Sequence, residues 1–136
     1  MKTLEEYIAQ YNKKAPMPFE RDERYELHFN PEHGFCEIGD NGRMIIAKQM
    51  CGDLFFWRKA IEEISRLNGY PYAGTYCVRN IRAYIRLAHF SIDKIVETED
   101  GTRYFCHDKQ TGQYGQASPA GKFDNGATAY YITWEV

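Results

Sequence analysis

The sequence predicts an α/β domain of the α+β kind, with a mixed and mainly antiparallel sheet and helices packed on it. Three observations carry that prediction. Tyr25, Leu27 and Phe29 alternate with Glu26 and His28, the period of a half-buried strand. Asp40-Asn41-Gly42 is a hairpin signal, because Asn-Gly supplies the positive φ angles that a tight turn needs. After Asp53 the apolar period changes to three and four through Trp57, Ala60, Ile61, Ile64 and Leu67, which is the period of a helix.

The elements follow in order. Thr3 and Glu6 have capping-box spacing and start a short helix through Leu4, Ile8 and Tyr11 to about Lys13. Ala15-Pro16-Met17-Pro18 stops it, since proline disfavours helix in the residue before it. A charged connector runs to residue 24. The strand at Tyr25 to Phe29, a second from Phe35 to Ile38 and a third from Met44 to Gln49 form a meander. The third is apolar on both faces at Ile45, Ile46 and Ala47, which places it centrally in the sheet. Asp53 caps the next helix and Gly69 closes it. Tyr72 to Val78 reads as a strand. Asn80 caps a third helix with Ile81, Tyr84, Ile85 and Ala88 on its apolar side. Strands from Ile92 to Thr98 and from Thr102 to His107 make a second hairpin around Glu99-Asp100-Gly101. Residues 108–128 are polar and rich in Gly, Gln and Ser, and read as a long loop that is either functional or mobile. Residues 129–136 alternate again and form a last strand tucked against the sheet. The order is α-βββ-α-β-α-β-β plus that strand, in one domain over residues 1–136.

The composition excludes several classes. With 43% hydrophobic and 26% charged residues the chain is an ordinary globular one rather than a disordered one. Apolar runs such as Leu54-Phe55-Phe56-Trp57 reach about four residues, against roughly 20 for a bilayer span. The charged N-terminus has no apolar signal core, so the expected location is cytoplasmic, with no membrane partner. Cys36, Cys51, Cys77 and Cys106 are widely spaced and read as reduced, buried thiols. His28, His33, His89 and His107 are scattered, and Cys106-His107 point to opposite strand faces, so no metal is expected.

Net charge is −2, yet Ile64 to Ile92 contains no Asp or Glu while Arg66, Arg79, Arg82 and Arg86 fall there. Arg79, Arg82 and Arg86 lie near one another on the third helix. They read either as a solvated helix face or as a contact for an anionic partner. The mixture of Tyr70, Tyr72, Tyr76 and Tyr84 with these arginines also suits base stacking with phosphate contact, but no nucleic-acid motif accompanies it. Leu54, Phe55, Phe56 and Trp57 exceed what one helix face buries. Either the C-terminal segment with Tyr130 and Trp134 covers the surplus, or the patch is a protein contact.

The order of elements over residues 25–107 resembles the acetyl-CoA-binding core of the GCN5-related N-acetyltransferase (GNAT) superfamily. The family's pyrophosphate loop, Gln/Arg-x-x-Gly-x-Gly/Ala, aligns with Gln49-Met50-Cys51-Gly52-Asp53-Leu54, and Ala88-His89-Phe90 stands where many members have Gly-Phe. The stretch Gly52-Asp53-Leu54-Phe55-Phe56-Trp57 is similar to short phage and prophage GNAT-like proteins. The resemblance implies acetyl-CoA as cofactor, with phosphates on the amides of Met50 to Leu54 at a helix N-terminus. It also implies transfer to an amine acceptor with Tyr84 assisting the proton and Glu37, or His28, as base.

The chain departs from the pattern at three places. Leu54 replaces a small residue. Asp53, as an N-cap, takes the amides that phosphate would use and carries its own negative charge. The family's tyrosine position falls on Ile85, one residue and about 100° from Tyr84. The second expectation is therefore a non-catalytic binding module. It is a phage or mobile-element accessory protein, of anti-CRISPR type for example, that grips a host protein or nucleoprotein through the Arg79, Arg82 and Arg86 face, the aromatic surplus or the long loop.

Overall fold

A computed structural model describes residues 1–136. Its elements are α1 (Leu4–Lys14), β1 (Glu26–Asn30), β2 (Gly34–Asp40), β3 (Ile45–Gly52), α2 (Leu54–Leu67), β4 (Tyr72–Cys77), α3 (Ile81–Leu87), β5 (Ser91–Thr98), β6 (Gly101–His107), β7 (Tyr114–Lys122) and β8 (Thr128–Glu135). One eight-stranded sheet takes the order β1-β2-β3-β4-β8-β7-β6-β5. Every neighbouring pair is antiparallel except β3 and β4.

The capping residues act as expected. The Thr3 side chain accepts the Glu6 amide while the Glu6 carboxylate accepts the Thr3 amide. Asp53 accepts the Phe56 amide at the start of α2, and Asn80 accepts the Ala83 amide at the start of α3. Gly69, at φ +72°, lets the chain leave α2 in the left-handed region.

The helices lie on opposite faces of the sheet. Tyr7 and Tyr11 of α1 pack on Phe35 and Cys51, with Phe19 beside them. Cys36 and Met50, the strand neighbours that point the other way, join Trp57 and Ile61 of α2, Ile81 and Ile85 of α3, and Ile132 and Trp134 of β8 in the main core.

One expectation is corrected. Residues 108–128 are not a long loop: Tyr114 to Lys122 form β7, between β6 and β8. Its sequence, rich in Gly, Ser and Pro, has little strand propensity. The two neighbouring strands impose the extended form, and the register shifts between Pro119 and Gly121, where proline breaks the ladder. Residues 129–136 supply the expected last strand, and β8 sits in the interior of the sheet between β4 and β7.

A buried ionic cluster ties this C-terminal half to α2. Arg58 donates to Glu62, to Asp108 and to the Ala88 carbonyl, and Gln113 and the Trp134 indole also donate to Glu62. Arg58, Glu62 and Asp108 are all buried. Burial works against the charge on Glu62, but Arg58, Gln113, Lys59 and Trp134 outweigh it and hold its carboxyl below its ordinary pKa. Asp108 is likewise held down, by Arg58 and the amides of Gln110 and Thr111 against its own burial.

Candidate ligand cleft

The parallel strands β3 and β4 pair over three positions only, Ile45 with Ala73, Ile46 with Gly74 and Ala47 with Thr75. Beyond Ala47 they part. β3 stays with β2 to Gly52, and β4 stays with β8 to Cys77. The register between β2 and β3 locates the cause. Cys36 to Ile38 spans two steps where Met50 to Ala47 spans three, so β3 carries an extra residue at Lys48-Gln49. A bulge bends its own strand, and this one bends β3 away from β4 at the position where their ladder stops.

A cavity of about 380 Å³ fills the gap. Met50, Cys51, Gly52 and Leu54 form one wall; Cys77, Val78, Arg79, Ala83 and Tyr84 form the other. Its charged lining is Lys14, Lys48 and Arg79, with the amides of Gln10 and Asn80 beside them, and no carboxylate lines it. Lys48 is already paired with Asp22 at 2.6 Å. Arg79 is half-buried and lies over the Tyr11 ring at 5.6 Å, with no carboxylate partner.

The neutral groups of the cleft stay neutral. Burial raises the Tyr84 hydroxyl far above its ordinary pKa, and the neighbouring Cys77 adds to the rise. Burial pushes the Cys77 thiol up to about 11 and raises Cys51 and Tyr11, with Arg79 offsetting part of each. At neutral pH nothing in the lining cancels the charge of Arg79.

The cleft thus gathers Met50, Cys51, Gly52, Leu54, Arg79 and Tyr84 from the residues singled out in the sequence. The Tyr84 hydroxyl lies 3.3 Å from Thr75 Oγ1 and 3.6 Å from Met50 Sδ, so it points into the splay between the strands. Lys14, Lys48 and Val78 carry no motif and went unnoticed; only the fold brings them here.

Other candidates stand elsewhere. Glu37 is fully buried on the α1 side of the sheet, where it accepts from Arg21 at 2.7 Å, the Asp22 amide at 2.8 Å and Gln49 Nε2 at 2.6 Å. Full burial behind these three donors closes Glu37 off from a substrate in the cleft. Gln49 does not line the loop. Its side chain turns to Glu37 and to both backbone groups of Glu20, fastening the connector to the sheet. His28 is on the edge strand β1 beside Glu26, outside the cleft.

The glycine of the loop serves packing. Gly52 lies against Gly34, at φ +111°, and a Cβ there would sit 2.1 Å from the His33 carbonyl oxygen. That carbonyl accepts the Asp53 amide at 2.9 Å and the Trp57 indole at 2.9 Å. The turn between β1 and β2 therefore occupies the side of Gly52 on which a Cβ would stand.

Arg79, Arg82 and Arg86 do not make one face. Arg79 lies over Tyr11 on the α1 side, Arg82 over Tyr104 on the opposite side, and Arg86 is exposed without an ion pair. The aromatic surplus is not covered by the C-terminal segment alone. Phe55 stacks on His89 at 3.7 Å and Phe56 on His33 at 3.9 Å, while Trp57 is buried in the core beside Trp134. No family model, curated protein or solved structure was found to match the chain.

Proposed function

We propose that this chain is a GNAT-like domain that binds an acyl-CoA-class thread in the splay between β3 and β4. The observation that carries the reading is the three-pair ladder that ends at a bulge and opens into a cavity with a cationic lining and no carboxylate. Two strand edges that face each other without a ladder offer backbone donors and acceptors to an extended, amide-bearing chain. Pantetheine is such a chain.

The phosphate end is bound differently from the family pattern. Asp53 keeps the α2 amides for itself, and the β1–β2 turn fills the space at Gly52. Lys14 remains for the phosphates as a cleft cation without a carboxylate partner.

Binding is better supported than turnover. No carboxylate or imidazole lines the cleft to take a proton from an attacking amine. One observation favours transfer as a second reading. Tyr84, aimed into the splay and protonated at neutral pH, would offer a departing thiolate a hydrogen bond, while the burial that raises its pKa makes it a weak proton donor.

Calorimetric titration with acetyl-CoA tests the reading. Micromolar binding, abolished by Ala83→Trp in a variant that keeps its circular dichroism and melting temperature, is the expected result. Absence of binding at millimolar cofactor removes the thread and leaves the module that grips a host protein or nucleoprotein.

A further inference from the structure

We infer that the ligand of the β3/β4 cleft carries a carboxylate that pairs with Arg79. The inference rests on the cleft being a ligand site, and it names the chemistry of one end of that ligand.

The observation is a half-buried guanidinium without an oxygen acceptor. The buried and half-buried arginines of this chain are Arg58, Arg79 and Arg103. Arg58 holds two carboxylates, a carbonyl and the Gln113 amide oxygen. Arg103 donates to Ser118. Arg79 donates to no oxygen at all; its guanidinium rests on the Tyr11 ring and faces the cavity. Of the exposed arginines, Arg21, Arg24 and Arg66 pair with carboxylates, while Arg43, Arg82 and Arg86 are unpaired but open to water.

A half-buried guanidinium loses part of its hydration and regains it through oxygen acceptors, best through two parallel bonds to one carboxylate. The ring beneath Arg79 supplies cation–π attraction and fixes the plane of the fork, but it accepts none of the N–H groups. Cys51, Cys77 and Tyr84 surround it as neutral groups. Lys14 adds a second unpaired cation to the same lining, and no acidic side chain competes for either. A dicarboxylic acyl thioester, with its free carboxylate at Arg79, satisfies both the thread-shaped splay and this unfilled fork. A plain acetyl group leaves the fork empty.

The experiment compares succinyl-CoA with acetyl-CoA by calorimetry, on the wild-type chain and on Arg79→Gln and Arg79→Lys. A charge-assisted contact predicts a preference for succinyl-CoA of about tenfold or more. Arg79→Gln collapses that ratio to near one, and Arg79→Lys retains part of it. Equal affinity for both thioesters in the wild-type chain overturns the inference while leaving the cleft as a cofactor site. If neither thioester binds, the cleft reading fails, and succinate alone decides the inference. Succinate-induced shifts of the Arg79 side-chain resonances, lost in Arg79→Gln, uphold a carboxylate site; no shift overturns it.

Discussion

Asp53 and His33 close the entrance of α2 between them. One oxygen of the Asp53 carboxylate accepts the Phe56 amide at 3.1 Å, and the other meets His33 Nδ1 at 3.2 Å. The His33 ring stacks on Phe56, and its carbonyl takes the Asp53 amide and the Trp57 indole. The helix N-terminus that would hold phosphate in an acyltransferase is thus held by a neighbouring turn of the same chain.

Replacing the carboxylate tests this self-capping. Asp53→Ser keeps a capping oxygen, so stability changes by less than about 1 kcal/mol. It also removes a negative charge and the His33 contact from the entrance of α2. Affinity for coenzyme A is expected to rise, as read by calorimetry, and unchanged affinity would show that Asp53 does not compete with the phosphates.

Gly52→Ala forces a Cβ to 2.1 Å from the His33 carbonyl at a φ of +111°. The strained backbone alone costs about 1–3 kcal/mol, and the contact with backbone atoms adds to it. Urea unfolding is expected to show a lower midpoint. A midpoint equal to the wild type would mean that the β1–β2 turn is free to move away from α2.

Arg58 is the centre of the buried ionic cluster. Arg58→Met leaves Glu62 and Asp108 as buried charges without their main partner, at a cost of about 3–5 kcal/mol. The same cluster sets an acid limit. Both carboxyls have folded pKa values below their ordinary 4.5 and 3.8. Their contribution is present above those ordinary values and is lost as the pH falls through the depressed folded ones. Thermal melts from pH 7 to pH 2 are expected to fall steeply below about pH 4 in the wild type and less steeply in Arg58→Met.

Tyr84 sets an alkaline counterpart. Its folded pKa lies well above the ordinary 10.0. Its neutral form is favoured in the fold, and this stability is complete below pH 10 and lost as the pH rises toward the folded value. Tyr84→Phe removes the ionisable hydroxyl, so its stability is expected to fall less between pH 9 and pH 11. Tyrosinate absorbance of the folded wild type over that range is expected to match the variant's, because Tyr84 stays protonated.

The elements with a strong local signal stand where the sequence puts them. Thr3, Asp53 and Asn80 cap the three helices because a short polar side chain at those positions satisfies amides that the helix cannot. The meander follows from turn chemistry and period-two alternation, but its β2–β3 loop runs from Asn41 to Met44, with Gly42 alone at positive φ and the Asn41 side chain accepting the Arg43 and Met44 amides. The strand β7 was illegible for the same reason: Gly115, Ser118 and Pro119 carry no strand preference, and pairing with β6 and β8 supplies all of the order.

The cleft was half legible. Met50, Cys51, Gly52 and Leu54 are found through the loop motif, and Tyr84 through its place on the third helix. The roles of Gln49 and Glu37 were not: the bulge at Lys48-Gln49 turns Gln49 toward the connector, and Glu37 is enclosed by Arg21, Asp22 and Gln49, which are distant from it along the chain. Period-two counting has no means of anticipating an added residue.

Alone, the sequence determined the order of elements apart from β7, the helix caps, and a chain with no segment apolar enough to span a bilayer as a helix. Those properties depend on residues within a few positions of one another. Only the tertiary structure decided that β8 enters the middle of the sheet, that Arg79 and Arg82 diverge to opposite faces, and that a cationic cleft opens where β3 leaves β4. Strand pairing, bulge placement and the partnering of buried charges are set by contacts between residues distant along the chain, and local patterns do not encode them.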